Sequence, residues 1–133
     1  MEKILQFSGS AVGSLERIQN TIAIIQNAYD NCPRIAVVVS AFGGVTDRLI
    51  ILGKMAAAGK SEYQKNLDEV ISRHVHGAQE LVAPMKLNSV LEMLESNFQE
   101  LRNVLEEVCF IKKLSAKTLD LVMSFGDRLS AFI

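Results

Sequence analysis

Residues 35–39, Ile-Ala-Val-Val-Val, are the longest unbroken apolar run in the chain, and they constrain its fold more than any other feature. The run is rich in β-branched residues, does not alternate with polar ones, follows Cys32-Pro33 and ends at Ser40 before Gly43-Gly44. This pattern predicts a strand covered on both faces, as in a parallel sheet. At five residues it is far too short to cross a bilayer. A parallel partner needs a crossover, and the preceding sequence supplies one. Residues 3–8 read as a first strand and 9–13 as a small, turn-like loop. Leu15, Ile18, Ile22, Ile25 and Tyr29 then step by three and four along one helical face. Ser14 is the expected N-cap, with Arg17 where a capping box would carry Glu, and Asn31-Cys32-Pro33 ends the helix. Strand, helix, strand is a βαβ unit, right-handed by default.

Beyond the second strand the pattern becomes helical. A helix is expected from about Val45 to Ala58, closed by Gly59. Leu67, Ile71, His74, Ala78 and Leu81 keep a four-three spacing, interrupted at Ala83-Pro84-Met85. Leu87, Leu91, Leu94, Phe98, Leu101, Leu105 and Val108 resume it. These stretches predict two long antiparallel helices packed along a heptad seam. A last helix starts at Ser115 as N-cap and runs through Leu119, Val122, Phe125 and Leu129. The expected class is α/β, a parallel βαβ unit plus a helical hairpin at about 61–111 and a final helix. Two strands make an incomplete sheet, and Leu129-Ser-Ala-Phe-Ile133 carries no stop signal, so the expectation is the front part of a larger domain.

Composition removes several function classes. The 133 residues hold 14 basic and 15 acidic side chains, a net charge of −1, which argues against a nucleic-acid binder. No secretory signal or membrane span is legible, and the expectation is a cytoplasmic protein. Cys32 and Cys109 form neither a disulfide framework nor a metal motif. His74 and His76, two apart on a helix, point to different sides and share no metal site. His74 falls on the packed stripe and reads as a satisfied core histidine.

Three glycine-bearing segments could carry chemistry. In 7–13, Phe-Ser-Gly-Ser-Ala-Val-Gly, small residues between strand and helix let amides approach an anion at a helix N-terminus, without the spacing or lysine of a P-loop. A plain tight turn is the alternative. In 40–47, Ser-Ala-Phe-Gly-Gly-Val-Thr-Asp follows the C-terminal end of a strand, where α/β sheets bind ligands. The alternative is a turn with Thr46 and Asp47 in the first turn of a helix. In 124–130, Ser-Phe-Gly-Asp-Arg-Leu-Ser puts Gly126 inside a helix at a cost of about 1 kcal/mol, so a helix or a ligand must approach it closely.

In this order the three segments resemble those of aspartate kinases, in the amino-acid kinase family. That family pairs a Lys-Phe-Gly-Gly-Thr-Ser-Val-type loop with a Val-Val-Ser-Ala-x-x-Gly-Val-Thr-Asp-type turn and a Ser-Phe-Gly-Glu-Arg-Leu-Ser helix. The likeness covers nearly the whole chain and is greatest to the kinase part of bifunctional aspartokinase/homoserine dehydrogenases. It implies residues 1–133 as the N-terminal part of a catalytic domain that phosphorylates the β-carboxylate of L-aspartate with ATP and Mg²⁺. It assigns Gln6 to the catalytic lysine's position, Ser8, Gly9 and Ser10 to phosphate binding, and Ser40, Thr46 and Asp127 to the aspartate site. Four departures stand out. Gln6 cannot neutralise a phosphoryl group. Ser8 replaces a loop glycine. Ser10 keeps the hydroxyl of threonine. Asp127 carries its charge one methylene, about 1.5 Å, further back than glutamate. The family's nucleotide half has no counterpart among these residues, so the chain is expected to bind no cofactor by itself, to be inactive alone, and to self-associate or need a C-terminal half. The alternative is a non-catalytic relic or interaction module that keeps only the packing.

Overall fold

The computed structural model describes residues 2–133. Two parallel strands, β1 (Lys3–Phe7) and β2 (Ile35–Val39), pair in register from Lys3 opposite Ile35 to Phe7 opposite Val39. The helix α1 (Leu15–Asn31) connects them. Its N-terminus is as expected: the Ser14 side chain accepts the Arg17 amide at 3.3 Å. The helix ends at Cys32, whose amide donates to the Ala28 carbonyl, and Pro33 follows.

Four helices make the rest: α2 (Val45–Ala57), α3 (Tyr63–Leu81), α4 (Pro84–Ile111) and α5 (Ala116–Phe132). Gly59 closes α2 with a left-handed φ of 72°, while the Gly59 and Lys60 amides donate back to the Ala56 and Met55 carbonyls. Pro84 interrupts the heptad pattern because it opens α4, where its missing N–H and fixed φ suit the first helical turn. At 28 residues, α4 is the longest element, about 42 Å. The Ser115 hydroxyl caps α5 by accepting the Thr118 amide at 3.1 Å.

The heptad residues do face inward, with Leu94, Phe98, Leu101, Leu105 and Val108 on α4 buried against Leu67, His74 and Ala78 on α3. The hairpin is not packed only on itself. α4 also touches α2 and α5, and Leu49, Leu52, Val122, Phe125 and Leu129 complete one continuous core. The seam read from sequence is therefore one side of a four-helix packing.

The sheet departs from the sequence expectation. β2 is not covered on both faces: Val38 is 51% exposed, and Ile4 on β1 is 78% exposed. The pleat sends Leu5, Phe7, Val37 and Val39 to one side. There α1 approaches with Ile18, Thr21, Ile22 and Ile25. Ile4, Gln6, Ala36 and Val38 face the other way, and no described layer packs there. An unbroken apolar run records that a strand suits burial on both faces; here it has one partner strand, and α1 and the end of α5 reach it on one side only.

Candidate functional site

The second glycine segment is the hub. Gly44 caps α2 in the left-handed region at φ 79°, so Thr46 and Asp47 do lie in the first turn of that helix. The helix-start reading of Thr46 and Asp47 therefore holds, and the same turn also forms a cavity wall. The first segment meets the hub through Gly43. Its amide donates to the Val12 carbonyl at 3.3 Å, and a Cβ on Gly43 would lie 3.0 Å from the Gly13 Cα. Glycine is needed here for close approach of two backbones.

The third segment meets the hub through α5. A Cβ on Gly126 would sit 2.9 Å from the Ala41 Cβ and 3.4 Å from a Leu49 methyl, so the neighbour demanding this glycine is protein. One residue on, Asp127 Oδ1 accepts the Ala41 amide at 2.9 Å. No other partner of that carboxylate is present among the described residues. Arg128 fixes the same turn of α5. Its guanidinium donates to Asn97 and Glu100 at 2.8 Å each and lies 4.4 Å from the Phe125 ring centre.

One open cavity of about 280 Å³ results, lined by Gly9, Ser40, Gly43, Gly44, Thr46, Asp47 and Asp127 among others. Four of the sequence-assigned residues, Gly9, Ser40, Thr46 and Asp127, therefore share one hollow. Ser8 and Ser10 do not line it. Their hydroxyls bond one another at 3.0 Å beside it. Gln6 lies on β1 opposite Val38, exposed and outside the cavity.

The loop at 8–13 has a polarity that residue types alone do not reveal. Four of its six carbonyls, those of Ser8, Ser10, Ala11 and Val12, are engaged within the protein. Ser8 accepts the Ala11 amide, Ser10 accepts Gly13 and Arg17 Nη1, and Ala11 accepts the Thr21 hydroxyl at 2.9 Å. The amides of Gly9 and Ser10 have no partner among the described residues. With these carbonyls engaged and the N-terminus of α1 following, the Gly9 and Ser10 amides are left as unpaired donors. Nothing comparable serves a bare metal: among the described residues no group of three or more His, Cys, Asp or Glu could hold an ion. Among the same residues no helix is long and apolar enough to cross a membrane.

Two residues behind the hub were not singled out for it by sequence. The Arg73 guanidinium on α3 donates to the Gly43 carbonyl and lies 5.9 Å from the Phe42 ring centre. The neighbouring His74 ring stacks on Phe42 at 5.0 Å, with 7° between planes. The heptad register places His74 inside but carries no signal for contacts that span some thirty residues.

The whole chain, residues 1–133, matches the model of the amino acid kinase family. It is 31% identical over 131 residues to the chloroplastic bifunctional aspartokinase/homoserine dehydrogenase 2 of Arabidopsis thaliana, covering 98% of this chain and 14% of that protein. Chloroplastic aspartokinase 1 of the same plant is 27% identical, with 98% of this chain and 22% of that one covered. Two crystal structures of Escherichia coli aspartokinase III share the fold. The complex with lysine and aspartate gives a TM-score of 0.76 at 20% identity, over 97% of this chain and 27% of that one. The complex with aspartate and ADP gives 0.77 at 19%, over 98% and 27%. The chain thus spans 14% to 27% of the length of these proteins.

Proposed function

The chain belongs to the amino-acid kinase family, and from that premise we propose that residues 1–133 supply the aspartate side and the phosphate loop of an aspartate kinase site. The observation that carries this reading is the single cavity shared by Gly9, Ser40, Thr46 and Asp127. In this reading the Asp127 carboxylate, anchored on the Ala41 amide, receives the substrate's ammonium. The Ser40 and Thr46 hydroxyls address its α-carboxylate. The Gly9 and Ser10 amides meet the anion next to them, with Ser8 as the neighbour that narrows the approach. The reaction served is attack of the β-carboxylate oxygen on the γ-phosphorus of ATP, with the bond to ADP breaking. Aspartate and ADP are the ligands of the aspartokinase III complex that shares this fold. A magnesium ion uses one or two carboxylates plus phosphate oxygens. Asp47, which lines the cavity, fits that requirement only together with a nucleotide, Asp127 being given to the ammonium.

Gln6 is a second reason, beside the lack of a nucleotide half among these residues, to expect no turnover from them alone. A neutral amide outside the cavity offers no charge to a phosphoryl group in flight, and such clamps are typically worth several kcal/mol of barrier. The same feature favours a second reading, a binding or interaction module that keeps the amino-acid pocket without the chemistry. The exposed face of Ile4 and Val38 would in either case invite self-association or another chain segment.

Calorimetric titration separates these readings from a mere packing relic. The 133-residue chain should bind L-aspartate in preference to succinate, which lacks the ammonium. Asp127→Asn, able to keep the Ala41 bond through its carbonyl oxygen, should erase that preference, a loss of about tenfold or more. Equal binding of both diacids, or of neither, would refute the aspartate site. A coupled assay should find no aspartate-dependent ATP consumption by the chain alone; turnover near that of ordinary kinases would refute the assignment to Gln6.

A further inference from the structure

The wall of the cavity at 41–44 is held from behind by α3, through two adjacent residues that do not line the cavity. Arg73 reaches the Gly43 carbonyl with its guanidinium and lies over the edge of Phe42. His74 is fully buried and lies flat against Phe42, with Phe98 of α4 edge-on to its other side at 6.5 Å. Its Nδ1–H donates to the Val70 carbonyl at 2.7 Å, an acceptor that fixes the proton on Nδ1. Nε2 is left buried with no hydrogen-bond partner. A lone acceptor in an apolar stack is tolerated only while it carries no proton. Protonated, it would be a buried N–H without an acceptor.

We propose that Arg73 and His74 are positioning residues for the 41–44 turn, Arg73 by gripping its backbone and His74 by packing Phe42 as a neutral ring. The clamp stands on geometry alone; only the purpose given to the turn rests on the function proposed above. It explains why a polar histidine occupies a heptad position on α3, where leucine would fill the seam but could not bond Val70 or lie flat under Phe42. It also ties α3 and α4 to the site.

The charges around His74 fix the direction of its response to acid. On its own helix it has Arg73 as neighbour. Phe42 from the turn and Phe98 from α4 are uncharged. α2 contributes Arg48, which pairs with Glu69 at 3.0 Å and whose charge also acts on Arg73. Burial, opposed by the bond to Val70 and aided by the Arg73 charge, holds His74 below its ordinary pKa. Acid therefore charges the ring only at the expense of the stack. The turn should loosen as pH falls below the usual histidine range.

Amide hydrogen exchange followed by NMR tests the clamp without any ligand. The reporters are the Gly43 and Val45 amides, which bond the Val12 and Phe42 carbonyls; Leu105, fully buried on α4, is the reference. Arg73→Met should speed exchange at the turn about tenfold relative to Leu105, and Arg73→Lys should recover part of that loss. Equal acceleration at both places, or none at the turn, would overturn the role of Arg73. Between pH 7 and pH 5 the relative protection of the turn should fall in the natural sequence and hold in His74→Phe, which keeps a flat ring but cannot be charged. Exposed His76 is present in both chains as the internal control. Protection that ignores pH in the natural sequence, or falls equally in His74→Phe, would overturn the role of His74. If the chain proves to bind no L-aspartate, the functional reading fails while the exchange data still decide the clamp. If it binds, Arg73→Met should weaken that binding by a similar factor.

Discussion

In α2 to α5, Leu49, Leu52, Leu94, Leu101, Leu105 and Leu129 have no exposed surface at all, whereas in the two-stranded sheet Ile4 and Val38 are largely open. Both regions are apolar in sequence, and both adopt the elements their patterns predict. They differ in how many neighbours each face finds. Four helices surround a shared interior, so every stripe has something to pack on. Two strands offer two faces and two edges, and α1 and the end of α5 address one face only. Apolar periodicity specifies the element and the faces that suit burial; the cover must come from elsewhere in the fold. The candidate site lies on the boundary between these regions, with the turn at 41–44 leaving the open sheet and leaning on the closed helices.

Substitutions on the two sides of that boundary should differ most. Leu101→Ala, emptying a fully buried position on α4, should lower unfolding free energy by about 2–5 kcal/mol in denaturant titrations. Val38→Ala on the open face should cost well under about 1 kcal/mol. Comparable losses would mean that the sheet face is covered in solution, and concentration dependence of the Val38→Ala effect would identify self-association as the cover.

Gly126→Ala probes the boundary itself. Its new methyl would lie 2.9 Å from the Ala41 Cβ, and overpacking of this kind costs about 1–3 kcal/mol. Ala41→Gly should relieve much of the penalty, read as a coupling in a double-mutant cycle. Independent, additive effects would show that α5 does not bear on the turn.

A smaller change should accompany pH. His74 is held below its ordinary pKa in the folded chain, so the unfolded chain binds the proton more readily. Its contribution to stability is full above the unfolded value near 6.5 and is lost as pH falls from there through the folded value. Thermal melts between pH 7.5 and 5 should show this slope and His74→Phe should flatten it. An unchanged slope in the variant would place the pH dependence elsewhere.

The smallest effect belongs to the sheet. Gln6→Lys on the exposed face of β1 should alter stability by less than about 0.5 kcal/mol. Combined with Ser8→Gly it should still give no aspartate-dependent ATP turnover by the chain alone. Measurable turnover would show that Gln6 and Ser8 were the only obstacles.

The legible parts of the fold were those written locally. Ser14, Ser115 and Gly59 act at helix ends because caps depend on a few neighbouring atoms, and the heptad leucines are buried because periodicity is local too. Pro84 both breaks the pattern between α3 and α4 and opens α4, since a proline ends one helix and suits the first turn of the next. The openness of β2 was not legible, because burial depends on neighbours that a strand does not encode. For the site, the order of the three glycine segments pointed to one hollow, and Gly9, Ser40, Thr46 and Asp127 share it. That Asp127 would be anchored by Ala41, or that Arg73 would grip Gly43, depends on contacts across 86 and 30 residues, for which one sequence carries no local sign.

The central claim, that the hollow between these segments is an amino-acid pocket, is tested most directly by titrating the isotopically labelled chain with L-aspartate and mapping the amide shifts by NMR. The account predicts saturable shifts centred on Ser40, Ala41, Thr46 and Asp127, abolished by Asp127→Asn while the α4 signals stay in place. Shifts centred on the α3–α4 cleft or on the sheet face, or no saturable shift at all, would contradict it.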